Sequence, residues 1–181
     1  MFKRSLLWQL YPAYLSITVA ALLIITLYLS QLLPDFYYDQ VVEDLKARAR
    51  LIERQILPRL KANDAQGLDE VAKTLGTRSS TRLTIILLDG RVIADSDENP
   101  ADMENHGNRP EFRESLEKGI GRSLRFSSTL GRSMMYLALP IEEQGKILAV
   151  MRTSIPATAI DENLKNIYHK IVLSVVIVGI C

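Results

Sequence analysis

Hydrophobic and polar positions divide the chain into three regimes. From Ser5 through Pro34, 30 consecutive residues carry no charge, with Lys3 and Arg4 before them and Asp35 after. About 20 residues at about 1.5 Å each cross a hydrocarbon core of about 30 Å, so the run predicts a membrane helix. Pro12 lacks an amide and is expected to open that helix near Ala13. Trp8, Tyr11 and Tyr14 mark one interface, and Phe36, Tyr37 and Tyr38 the other. The apolar stretch is longer than a secretion signal's core and ends in Gln31-Leu32-Leu33-Pro34 rather than a small-residue cleavage site, so an uncleaved anchor is the reading. Lys3 and Arg4 on the short side predict a cytoplasmic N-terminus, with everything after Asp35 outside. At the far end, the eleven uncharged residues 171–181 reach about half way across a bilayer and read as the start of a second span, cut short at Cys181. The rival is a buried C-terminal strand or helix of a soluble core.

Between these ends the apolar period changes twice. Val42, Leu45, Ala49, Ile52, Ile56 and Leu60 recur at three and four, which predicts a helical stalk with an apolar seam. The seam either docks on the domain's own sheet or pairs with a second copy, and pairing in a homodimer is the expectation. The helical pattern falters after Pro58, and Asn63 or Asp64 caps a short helix to about Thr77. Period two then takes over. Arg82 to Leu88, Asp89-Gly90 and Arg91 to Ala94 predict a hairpin on a two-residue turn. A polar stretch from Asp95 to Asn108 leads to a helix opened at Asn108 or Arg109-Pro110 and closed by Gly119. Three more strands follow, Arg122 to Thr129, Met134 to Ile141 and Lys146 to Ser154. Pro156 then starts an exit helix whose seam of Ile160, Leu164, Ile167 and Ile171 feeds the second span. The prediction is an α+β fold, with helices on one face of a five-stranded antiparallel sheet.

Composition narrows the function. Residues 35–170 carry 20 basic and 21 acidic side chains, so no basic footprint points to nucleic acid. One cysteine and two histidines exclude a disulfide framework and a Cys/His zinc site. No G-x-S-x-G, H-E-x-x-H or C-x-x-C is present, and Gly119-Ile-Gly121 is not followed by the x-x-G of a phosphate loop. The chain is expected to be no enzyme and to need no cofactor.

Thr84-Ile-Ile-Leu-Leu-Asp-Gly-Arg-Val-Ile-Ala-Asp-Ser96, Met103-Glu-Asn-His-Gly-Asn-Arg-Pro-Glu111, Gly121 with Arg125-Phe-Ser-Ser-Thr-Leu130, and Met135-Tyr-Leu-Ala-Leu-Pro140 together resemble the sensory part of bacterial sensor histidine kinases of the phosphate-responsive type. That resemblance implies a PAS-like domain of the single Cache kind, flanked by transmembrane helices in the bacterial inner membrane. It also implies a parent histidine kinase that acts on a response regulator. Chemoreceptors and cyclases share the input module, and a membrane-tethered scaffold for another envelope protein is the remaining alternative. On this reading residues 1–34 are the cytoplasmic end and first span, 35–80 the stalk and short helix, and 81–155 the PAS-like sheet. Residues 156–170 are the exit helix and 171–181 the truncated second span. His169 is followed by Lys170 rather than by an acidic residue and reads as a stalk residue, not a phosphoacceptor.

Three candidate sites remain. Residues 95–106 hold five carboxylates and His106 without a Lys or Arg, a set suited to a hard cation but lacking fixed ligand spacing, so the solvated loop is preferred and no metal is expected. His106 is also a possible pH switch, against the plainer role of a local hydrogen-bond partner. The third candidate is the sheet's concave face. Alternation puts Arg125, Ser127 and Thr129 on one side of their strand, and with Arg109 and Tyr136 they suit a small anionic ligand such as a carboxylate. Pairing of Arg109 with Glu111, or of Arg125 with Asp95, is the structural alternative.

Overall fold

The computed structural model describes residues 6–127, 130–157, 165–170 and 173. Helix α1 (Leu6–Lys61) and helix α2 (Ala65–Ser79) precede strands β1 (Arg82–Leu87) and β2 (Val92–Asp95). A short turn of 3-10 helix at Pro100–Asp102 leads to α3 (Pro110–Lys118), β3 (Gly121–Ser127), β4 (Arg132–Glu143) and β5 (Lys146–Pro156). The chain divides into two units, Met1–Tyr38 with Ile160–Cys181, and Asp39–Ala159.

In the first unit, α1 offers one segment long and apolar enough to cross a membrane, and none of it is buried. Tyr14, Ile17, Leu23, Ile24 and Leu27 are exposed. The hydroxyls of Ser16, Thr18 and Thr26 donate to the carbonyls of Pro12, Tyr14 and Leu22, so these polar groups need no water. The chain is already helical at Leu6, ahead of the expected start near Ala13. A proline removes a single intrahelical hydrogen bond, and Ser16 occupies the carbonyl that Pro12 offers. Residues 165–170 are helical with Ile167 half-buried, while Ile160, Leu164 and Ile171 lie outside the described residues.

The second unit is built on one antiparallel sheet in the order β2-β1-β5-β4-β3. On one face Leu83, Ile85, Leu139, Ile141, Ala149 and Met151 meet Ala49, Ile52, Ile56 and Leu60 of α1 and Leu68 and Ala72 of α2. Burial of each large aliphatic side chain there contributes about 1.5–3 kcal/mol. The stalk seam therefore docks on the chain's own sheet. Ala49, Ile52 and Ile56 are buried this way, and Val42 and Leu45 are buried as well, so the chain itself covers this seam. On the opposite face α3 lays Phe112 on Ile86, Ala138 and Val150. Helices thus cover both faces, not one, because α3 crosses over after β2.

Local signals explain most boundaries. Asp64 caps α2 by accepting the Gly67 amide at 2.9 Å, and Gly119 ends α3 at φ 77°. α1 passes through Pro58 to Lys61, and Asn63 at φ 52° turns the chain. The hairpin loop differs from the expectation. Leu87 and Arg91 pair across three residues rather than two, and of Asp89-Gly90 only Gly90 takes a positive φ, 86°. Such a loop needs one left-handed residue, not two. Strands β4 and β5 outrun their predicted ends and meet at Gln144-Gly145, both with positive φ.

Candidate functional site

Strand alternation sorts the α3 face of the sheet into an apolar half and a polar half. Ile86, Val150 and Ala138 lie beneath α3, whereas Thr84 and Arg152 are cross-strand partners, as are Arg82, Ser154 and Tyr136 in turn. The crossover from β2 to α3 runs over the polar half. It is pinned to the hairpin by the His106 amide on the Gly90 carbonyl at 2.7 Å and by Asn105 Nδ2 on the Asp89 carbonyl at 2.8 Å. This places His106, buried, and Arg109, which precedes Pro110 at the start of α3, against the sheet.

Two buried carboxylates organise the charges. Asp95 accepts Arg82 Nε at 3.0 and 3.2 Å and Thr84 Oγ1 at 2.7 Å, along with the amides of Asp97 and Glu98. Glu111 accepts Arg125 Nη2 at 2.7 Å, Arg125 Nε at 3.2 Å and Arg152 Nη1 at 3.3 Å. Burial works to raise the Glu111 carboxyl, but the Arg125 hydrogen bonds and the Arg152 charge prevail and hold it below the ordinary carboxylate range. Two guanidinium groups lie over the Tyr136 ring, Arg125 at 4.2 Å and Arg152 at 4.9 Å from its centre. Burial, then the Arg152 and Arg109 charges, push His106 down to about 3. It is neutral between pH 5 and 8 and is no switch in that range.

Arg82, His106, Arg109, Arg125, Ser127, Tyr136 and Arg152 enclose a cavity of about 10 Å³, room for about one water-sized atom. Four guanidinium groups thus face two buried carboxylates. The side chains of Arg82 and Arg152 are 3% exposed, yet among the described residues Arg82 Nη2 and Arg152 Nε have no acceptor and His106 Nδ1 has no partner. Buried donors left unpaired cost about 1–3 kcal/mol each, so the cluster is poised to accept an anionic oxygen.

Of the residues predicted for this site, Arg109, Arg125, Ser127 and Tyr136 are brought together, and Thr129 lies outside the described residues. The pairing differs from the alternative considered. Arg125 takes Glu111, Arg82 takes Asp95, and among the described carboxylates Arg109 reaches only the exposed Glu104, at 3.5 Å. Sequence reasoning missed Arg82 and Arg152, although a lone arginine inside Leu148-Ala-Val-Met-Arg-Thr153 demands a buried carboxylate. The acidic stretch 95–106 loses Asp95 to Arg82, and among the described residues no three His, Cys, Asp or Glu groups gather around a common point.

Comparison with solved structures gives three informative likenesses. The sensor domain of the V. cholerae histidine kinase DctB superposes with a TM-score of 0.57 at 22% identity, over 84% of this chain and 59% of that one. The E. coli DcuS sensor domain gives 0.57 at 12%, over 72% and 98%. The ligand-binding domain of the Campylobacter jejuni chemoreceptor Tlp3, in complex with L-norvaline, gives 0.63 at 17%, over 84% and 63%. The fold is that of these sensor domains. At such identities the likeness is one of fold, and the chain spans about three fifths of the length of DctB and Tlp3 as solved. No protein-family model matches the sequence, and no curated protein matches it. The sensor-domain fold agrees with the α+β PAS-like architecture expected from the residue motifs.

Proposed function

We propose that this chain is the sensing input module of a bacterial membrane receptor of the histidine kinase class, and that its arginine pocket takes a small anion, a carboxylate above all. The unpaired N–H groups of Arg82 and Arg152, both buried beside His106, carry this reading. The cavity admits one oxygen-sized atom, so a larger ligand enters only as the crossover over residues 96–109 lifts. A ligand that binds the lifted form better shifts the population toward it, and that shift is the signal. In this proposal α1 anchors the module in lipid with residues 35–170 outside the inner membrane, and the module works as a homodimer. The exit helix relays the change through the span beginning at residue 171 to a kinase core and its response regulator. A chemoreceptor input is the second reading, favoured by the TM-score of 0.63 to Tlp3, and the reading frame beyond Cys181 separates the two.

Calorimetric titration of the whole chain in detergent with acetate, succinate and phosphate tests the pocket. At least one is expected to bind, and Arg125→Ala should weaken it about tenfold or more, since a hydrogen bond to a charged group is worth about 1.5–3 kcal/mol. Absence of heat with all three, or binding indifferent to Arg125→Ala, overturns the assignment.

A further inference from the structure

The inner pocket is too small for a whole metabolite, but a second cavity is not. Where the C-terminal end of α2 meets the starts of β1 and β4 and the end of β5, a cleft of about 280 Å³ opens, close to the lower limit of about 300 Å³ for small-molecule sites. Its walls differ in charge. One side presents Arg132, exposed and without a carboxylate partner among the described residues, together with Arg82, whose Nη2 is unpaired. Beside them Ser154 is 1% exposed, and its Oγ has no hydrogen-bond partner among the described residues. The lining also includes the exposed Asp97, which follows β2 and is separated from Arg132 on β4 by β1 and β5, and the end of α2 at Gly76 and Thr77, where the helix dipole is negative. Met134 and Pro156 supply an apolar wall.

We infer that this cleft is a second binding site, sharing only Arg82 with the arginine pocket, and that it takes a small zwitterion of amino-acid size. The ligand's carboxylate lies toward Arg132, Arg82 and Ser154, and its ammonium toward Asp97. A plain anion meets repulsion from Asp97, and a plain cation meets two guanidinium groups. Only a molecule carrying both charges satisfies both walls.

The test is calorimetric titration of the full chain in detergent with glycine, L-alanine and L-serine, each compared with acetate and ethylammonium. It is repeated in the Arg125→Ala background, which disables the inner pocket alone. At least one amino acid is expected to bind about tenfold or more tighter than either half-molecule, with Arg125→Ala leaving that affinity unchanged. Asp97→Asn and Arg132→Ala should each weaken it about tenfold while the unfolding temperature holds, because both side chains are exposed. No binding by any of the three up to about 10 mM overturns the site. So does acetate binding as tightly in the Arg125→Ala background, or affinity that survives both substitutions. A loss confined to Arg125→Ala instead assigns the ligand to the inner pocket and removes the cleft.

Discussion

Glu111 is fully buried against two guanidinium groups, and nearby His106 is kept neutral by the same burial and the same positive charges. The two groups act on stability in one direction. Unfolded, His106 returns to about 6.5, so between that pH and about 3 the unfolded chain holds a proton that the folded chain does not. Stability then rises with pH and is lost on acidification, by up to about 1.4 kcal/mol per pH unit. Glu111, whose carboxyl is depressed in the fold, adds a loss of the same sign only below its ordinary value of 4.5. Denaturant titrations from pH 6.5 to 4.5 therefore isolate the histidine. The chain should weaken steadily over that window, and His106→Gln should flatten the profile; an equally steep profile in the variant refutes the assignment. At this scale the sequence was half legible. Arg125 and Ser127 could be placed by alternation, Arg109 by the helix start and Tyr136 by the neighbouring strand, but which carboxylate meets which arginine depends on a 14-residue separation between Glu111 and Arg125 that strand period does not encode.

Elements were legible where a residue does one local job. Asp64, Gly119 and the Pro110 helix start behave as capping chemistry requires. The misreadings were of two kinds. Proline was given too much authority at Pro12 and Pro58, since a long helix loses one hydrogen bond at each and keeps the rest. The stalk seam was left between the chain's own sheet and a second copy, with the copy preferred, because an amphipathic period states that a face is buried and not what buries it. Gly121 shows a constraint that no periodicity reveals. A Cβ there would lie 1.9 Å from the carbonyl oxygen of Glu111, so β3 can approach the first turn of α3 only with a glycine at its start. Gly121→Ala must push α3 off the sheet or bend β3, at about 1–3 kcal/mol, and should also disturb the Glu111 to Arg125 pair. A lowered denaturation midpoint with weakened anion binding is expected. Unchanged stability would mean that the strand and helix have more room than the geometry allows.

At the scale of the whole molecule, the proposed function depends on which side of the membrane the sensor-domain unit occupies. The apolar surface of α1 requires lipid or another apolar cover, because Ile17, Leu23, Ile24 and Leu27 are exposed together along one helix. Exposure of that surface does not give direction, whereas the positive charges of Lys3 and Arg4 favour the cytoplasmic side for the N-terminus. A cysteine scan supplies it. In a Cys181→Ser background, cysteines replacing Asn108 and Glu142, both exposed, are treated in whole cells with a maleimide that does not cross the inner membrane. Both should be labelled before lysis, while a cysteine at Lys3 should be labelled only afterwards. The reverse pattern would put the arginine pocket and the cleft in the cytoplasm. Both sites would then face a reducing compartment with abundant amino acids and organic anions, and the relay from outside to a cytoplasmic kinase core would have no starting point. Labelling at all three positions before lysis would remove the inside-to-outside passage of α1 itself. The positive charges at the N-terminus are few, so Lys3→Glu with Arg4→Glu is the sharper perturbation. If that pair fixes the orientation, the double variant should lose early labelling at position 108 in a fraction of molecules while the isolated chain retains its unfolding temperature and anion affinity.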